Sequence, residues 1–319
     1  AAAMTSRFVL VLCGLCCLLP LTAPQAAPPN ATLGLYSGRH DSCLALAVDG
    51  DILVLLHLET VFVKGQLRLE IVLGSKQGYT RLWTMAYKRL QGFLKAAHPQ
   101  WPPRPFGVLA LAGSLEKAER RVTRVDVLRH VIPHHQFLDV DHHVAHAHHA
   151  FYDSPFSTAL IVTCDGGGND GYFKVFWGTR HNRSIALLGS VDKDLGRGFA
   201  HWSSHGALTK VRKATTGTWV AAELMHLASR GTPRAKWQPL MERIFAAPPE
   251  SWSSPRFIRT AKAALQQIHL TGNLDLWDYA ATAQRALEQT VIAELQRYAP
   301  ALARADGVAL GGGVAANFR

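Results

Sequence analysis

"DHHVAHAHHAFYDSPFSTALIVTCDGGG", residues 141–168, is the stretch on which the reading of this chain turns. It opens with His142, His143, His146, His148 and His149. His142 and His146 are four apart, so on a helix they share one face and can meet one metal ion, usually with a third ligand from elsewhere. His149 continues the same stripe as a rival partner, and a solvated His-rich helix turn is the reading without a metal. Neutral imidazole is the ligating form, so such a site would load near pH 7 and empty in acid. Thr158 to Cys164 is an apolar run of strand length. "DGGGNDG", 165–171, reads as a turn. Its bare backbone at Gly166, Gly167 and Gly168 suits phosphate, and Asp165 suits a metal or a polarised water. An ordinary hairpin turn has the same composition.

Working upstream, "SCLALAVDGDILVLLHL" is two apolar runs joined at Asp49-Gly50, a hairpin signal because both residues tolerate positive φ. Ala31 to Tyr36 is a strand before it, and "SGRHDSC" between them places His40 and Asp41 at a strand end. The periodicity predicts a helix over 78–98, which "WPPRP" breaks, and strands at Phe106–Leu111 and Gln136–Val140. Downstream, "YFKVFWG" and "SIALLGS" are further strands. An apolar strand, an acidic-glycine turn and another strand thus occur early in each half. This suits a duplicated architecture of two related α/β halves facing across a cleft.

Residues 192–256 are irregular and helical in part. Leu276, Ala280, Ala283, Leu287, Val291, Leu295 and Tyr298 make one helical stripe, with Asn273 or Asp275 as cap and Pro300 as stop. "GVALGGGVAANFR" closes the sequence as a strand, Gly311, Gly312 and Gly313, and a helix just starting. A glycine loop at a helix N-terminus is a favourable anion site, and also a common packing turn.

Composition bounds the function. The 319 residues are 48% apolar, enough for a large core. Lys and Arg outnumber Asp and Glu, 34 to 23, giving +11 and a pI near 9.7. That suits an anionic partner. The basic residues are scattered, with no long run or aromatic-interleaved patch, which argues against nucleic acid. Met4 and Arg7, the apolar run 8–21 and a small-residue tail describe a secretory signal peptide, with an uncleaved signal anchor as the alternative. Secretion is the localisation expected. Outside that segment only Cys43 and Cys164 remain, too few for a disulfide framework or a Cys metal site. Asn30-Ala-Thr32 and Asn182-Arg-Ser184 are glycosylation triplets.

Taken together, these motifs resemble the O-carbamoyltransferases of the nodulation-protein U type, whose N-terminal part is related to the tRNA threonylcarbamoyl-adenosine enzyme. The resemblance runs from about Leu33 to the last residue. "LGLYSGRHDSCLALAVDGDI" looks like that family's opening strand, HD turn and DG hairpin. "DHHVAHAHHAFYDSPFSTALIVTCDGGG" looks like its HHxxHA, SPF and DG sequence. "DLGRGFAHWS" is similar to its SLG segment and "ALGGGVAAN" to its GGVAxN motif.

The resemblance implies an α/β actin-like ATPase fold of two ribonuclease H-like halves. These would be residues 29–156 and 157–319, after a signal peptide at 1–28, with the second half incomplete at its C-terminus. It implies a divalent metal, iron, on His142 and His146, with a further Asp ligand expected past the end of the sequence. Asp165 and Gly166 to Gly168 would face nucleotide phosphates. Gly311 to Gly313 and Asn317 would lie near the nucleoside. His40 and Asp41 would sit near the transferred carbamoyl group.

The activity implied is transfer of a carbamoyl group from carbamoyl-adenylate to a hydroxyl of a small molecule. A partner domain, absent from this sequence, would make carbamoyl-adenylate from carbamoyl phosphate and ATP. The sequence also departs from the family. Only Glu59 remains of an acidic run. "AAELMHLA", 221–228, puts Glu223 where the family has Lys and His226 where it has Gly. A non-catalytic metal- and nucleotide-binding paralogue is therefore the alternative, with threonylcarbamoyl transfer a third reading.

Overall fold

The structure, a computed structural model, describes residues 31–37, 42–62, 75–97, 105–113, 118–205, 208 and 218–317. The segment 1–28 read as a signal peptide, Asn30, and the pair His40 and Asp41 lie outside the described residues.

The described residues divide into two compact units, those within 31–34, 43–109 and 123–137 in one and those within 35–42, 110–122 and 138–317 in the other. Strands β1 (Thr32–Tyr36), β2 (Cys43–Val48) and β3 (Asp51–His57) open the chain, followed by the short helix α1 (Leu58–Phe62). β2 and β3 pair antiparallel with Val48 opposite Asp51. The Asp49-Gly50 turn between them has positive φ at both residues, 51° and 98°, as the sequence signal requires. α2 (Lys76–Ala97) buries Tyr79, Leu82, Trp83, Ala86 and Leu90 on one face. β4 (Phe106–Ala112), α3 (Ala118–Val131) and β5 (His134–Val140) follow, and the first sheet has the order β3-β2-β1-β4-β5.

α4 (His142–Asp153) leads into the second sheet, built from β6 (Thr158–Gly168), β7 (Gly171–Thr179), β8 (Ser184–Val191) and, far along the chain, β9 (Gly307–Gly311). Its order is β8-β7-β6-β9, with β6 antiparallel to β7 and parallel to β9. Counting from the first strand of each half, both sheets run 3-2-1-4. The expected α/β actin-like fold with two ribonuclease H-like halves is what this recurring order gives.

β6 explains why the second unit holds together. Ala159 to Cys164 are all buried. Alternate side chains of a strand face opposite sides. Ala159 and Ile161 pack with Ala147, Ala150 and Phe151 of α4. Leu160, Val162 and Cys164 pack into a larger helical core. That core is built from α5 (Leu195–Ser203), α6 (Thr218–Ala228), α7 (Gln238–Phe245), α8 (Pro255–Gln266) and α9 (Asn273–Leu295). A strand covered on both faces reads as a continuous apolar run, as "TALIVTC" does. The "SPF" segment has a structural reason. Arg180 collects the carbonyls of Phe151, Tyr152, Ser154 and Phe156, closing the C-terminus of α4. The Phe156 ring fills the space above Gly307, where a Cβ would collide with it.

Two local expectations are corrected. "DGGGNDG" is not all turn: β6 runs on to Gly168 and only Asn169 and Asp170 turn. Neither Asn273 nor Asp275 caps α9. The cap residue is Gly272, and Asp275 instead accepts from the backbone and hydroxyl of Thr271. After β9, where Gly312 has φ 93° and Val314 N donates back to Cys164 O, the described residues make one turn in which Ala316 N donates to Gly312 O, a bond of helical spacing. "AAELMHLA" is part of α6, whose Leu224, Leu227 and Ala228 are buried in the core. Among the described residues no helix is long and apolar enough to cross a membrane.

Candidate metal centre

Three side chains of the second unit converge. His142 and His146 project from one face of α4, and Asp165 reaches them from β6. Their ligand atoms lie within 4.8 Å of one another. His146 Nε2 is 3.1 Å from His142 Nε2 and 3.0 Å from Asp165 Oδ2, and His142 Nε2 is 3.4 Å from the same oxygen.

The strand delivers Asp165 through a bulge. Cys164 pairs with Phe173 and Gly168 with Gly171, so Asp165, Gly166 and Gly167 oppose Tyr172 alone. Bulges bend a strand and re-aim a side chain, here out of the ladder and toward α4. Gly167 takes φ 132°, which a side chain would resist.

The protonation pattern suits a metal. His142 Nδ1 lies 2.8 Å from the Gly113 carbonyl, which can only accept, so Nδ1 carries the proton. The neutral ring then presents a bare Nε2 to the cluster, the arrangement usual for a ligating histidine. Burial alone would lower the pKa of His142. The bond to Asp165 and the Gly113 carbonyl outweigh it and raise the value. Burial likewise pushes Asp165 up, but the two imidazoles and the Gly313 N–H hold its carboxyl well below the usual carboxylate range. Asp165 is therefore ionised at any physiological pH. Its Oδ2 accepts from Gly313 N at 2.9 Å and its Oδ1 from Gly166 N at 2.6 Å.

The other sequence candidates fall in two groups. Gly168, Gly311 and Gly312 are spacers. A Cβ on Gly168 would lie 2.5 Å from His142 Cβ, one on Gly311 would lie 2.9 Å from the His146 carbonyl oxygen, and one on Gly312 would strike the Cys164 carbonyl. Gly166 and Gly313 are exposed, and nothing lies within 4 Å of a Cβ at Gly166. Asn317 has both polar side-chain atoms buried without a partner. His148 and His149 are exposed and outside the cluster, so the rival pair His142/His149 is not formed.

Sequence reading missed two groups. The Gly113 carbonyl is a backbone group and leaves no trace in residue type. Asp194 sits wholly buried at the N-cap of α5, accepting from Arg197 N at 2.8 Å. Burial raises its pKa, the Arg197 contacts lower it, and the charge of Asp165 raises it again. Its element abuts the site, since a Cβ on Gly196 would lie 2.6 Å from Gly166 Cα. The signal available was an acidic residue two before a glycine in "DLGRG".

The family model described as "Carbamoyltransferase N-terminus" matches residues 115–319, which contain the whole cluster. No curated protein matches the sequence. Among solved structures, the ethanolamine utilization protein EutJ from Carboxydothermus hydrogenoformans is similar at 14% identity, over 84% of this chain and 85% of that one, with a TM-score of 0.35. The Aquifex aeolicus PPX-GPPA enzyme is similar at 12% identity, over 81% and 92%, with a TM-score of 0.29.

Proposed function

The chain belongs to the carbamoyltransferase N-terminus family, and on that footing we propose that it moves a carbamoyl group from carbamoyl-adenylate to a small-molecule hydroxyl at a divalent-metal site. The observation that carries this reading is the convergence of His142, His146 and Asp165. Two imidazoles and one carboxylate are the donor set of non-haem iron sites, which favours iron and extends the ligand pair to Asp165. When bound, the metal would supply Lewis-acid polarisation of the carbamoyl carbonyl.

The chain's own residues have separate tasks. His142 keeps its Nδ1 proton on Gly113 and leaves Nε2 free. Asp165 stays ionised and, through Gly313 N–H, ties the glycine loop 311–313 to the centre. The open backbone at Gly166 and the unpartnered amide of Asn317 support a nucleotide on this side, phosphates at the first and nucleoside at the second. His40 and Asp41 remain assigned to the carbamoyl group. In the transfer, the acceptor oxygen forms a bond to the carbamoyl carbon. The bond from that carbon to the adenylate phosphate oxygen breaks, AMP leaves with the electron pair, and the hydroxyl proton passes to a base. A separate domain would supply the carbamoyl-adenylate from carbamoyl phosphate and ATP. We assign the chain to the secretory pathway on its N-terminal segment, testable by expression with and without residues 1–28.

The deciding assay supplies carbamoyl-adenylate, iron and candidate alcohols to the purified chain. Carbamate ester above the level of a His142→Ala, His146→Ala double variant supports transfer. Metal and nucleotide uptake with no ester would instead support the non-catalytic reading, which the drift at Glu223 and His226 favours.

A further inference from the structure

α4 carries two of the three ligands, yet its own sequence does not cap it: Asp141 holds the cap position without a side-chain bond to the helix amides. Helix N-terminal amides need partners. Here the β6–β7 turn provides them. Asn169 Oδ1 accepts from His142 N at 3.0 Å, and Asp170 Oδ1 accepts from His143 N at 3.1 Å. Asn169 Nδ2 also donates to Asp141 Oδ1 at 2.6 Å. Lys174 Nζ steadies Asp170 Oδ2 at 2.9 Å, with both side chains nearly buried.

His143 makes a third tie. Its ring is fully buried, with Nε2 3.1 Å from the Gly171 carbonyl and Nδ1 2.8 Å from Thr163 Oγ1. A carbonyl only accepts, so Nε2 carries the proton. The neutral ring then accepts a hydrogen bond from the Thr163 hydroxyl at Nδ1. Thr163 precedes Asp165 on β6 and Gly171 opens β7, so the helix is pinned to the hairpin on both sides of the carboxylate.

The imidazoles come from the helix and the carboxylate from the strand, so their separation is set by how those two elements are held. We propose that His143, Asn169 and Asp170 are positioning residues of the metal centre, a clamp that holds the helix-borne imidazoles at ligating distance from Asp165. The inference rests on the metal reading above.

The test titrates zinc and cobalt(II) into the full chain and its variants His143→Leu, Asn169→Ala, Asp170→Ala, Asp170→Asn and Thr163→Val. Thr163→Val keeps the side-chain shape and guards against simple misfolding. Loss of the groups behind metal ligands typically weakens affinity about 10- to 100-fold. That loss is expected for the Leu, Val and Ala variants, with a changed cobalt(II) visible spectrum. Asp170→Asn keeps an oxygen for His143 N–H and should regain most of the affinity. Folded variants with wild-type affinity and spectrum, lowered only in melting temperature, would overturn the clamp. A wild-type chain that takes up neither metal would refute the metal reading itself, and the clamp with it.

Discussion

Replacing Gly168 by Ala gives the sharpest test of how β6 meets α4. The new Cβ would lie 2.5 Å from His142 Cβ and 2.7 Å from its Cγ and Cδ2. Carbon atoms rest at about 3.5–4.0 Å, so the two must part by roughly 1 Å. His142 cannot swing clear cheaply. The contact is at its Cβ, next to the backbone, its amide is held by Asn169 and its ring by Gly113. Metal–ligand distances tolerate about 0.2 Å, so a shift of that size removes His142 from the donor set. Metal affinity should fall at least about 100-fold, beyond what disturbing a supporting group costs. Stability should fall by about 1–3 kcal/mol from overpacking.

The control lies two residues away. A Cβ on Gly166 meets nothing within 4 Å, so Gly166→Ala should change stability by no more than about 0.5 kcal/mol and leave metal binding intact. Calorimetric zinc titration and urea denaturation of both variants read the difference. Wild-type binding by folded Gly168→Ala would refute the packing of the strand end on His142. An equal loss in Gly166→Ala would show that the hairpin, not this contact, is what matters.

Other expectations follow from the same geometry. Asp165→Asn removes the charge that balances a divalent ion and should abolish tight binding, read by metal content after dialysis. The protonated, metal-free His142–Asp165 pair has its own pH signature. The raised His142 pKa contributes stability fully below about pH 6.5, lost as pH rises through the folded value. The lowered Asp165 pKa contributes above about pH 3.9 and is lost as pH falls through its folded value. Metal needs the bare imidazole, so the metal-induced rise in melting temperature should be larger at pH 8 than at pH 6. An equal rise at both would count against imidazole ligation. Arg180→Ala strips the charged cap from the end of α4 and should cost about 1.5–3 kcal/mol in urea denaturation, since hydrogen bonds to charged groups contribute about that much.

The sequence by itself determined the local elements and one half of the centre. "TALIVTC" announced an apolar strand, Asp49-Gly50 a hairpin, and the spacing of His142 and His146 a shared helix face, because each depends on near neighbours and a fixed period. The stripe from Leu276 to Leu287 marked the buried face of α9 for the same reason.

Only the tertiary structure decided what completes the centre. Asp165 becomes a partner of the imidazoles because a bulge, invisible in residue type, turns it out of the strand. The rival stripe through His149 failed because that side chain points to solvent. His143, indistinguishable from its neighbours in the sequence, became the most constrained of them by meeting Thr163 and Gly171. Glycines that looked like phosphate cradles divide by contact: Gly168 and Gly312 make room for other chain segments, and Gly166 is left open. Periodicity encodes which face a residue occupies; what stands opposite that face depends on distant segments, and there the pattern carries no information.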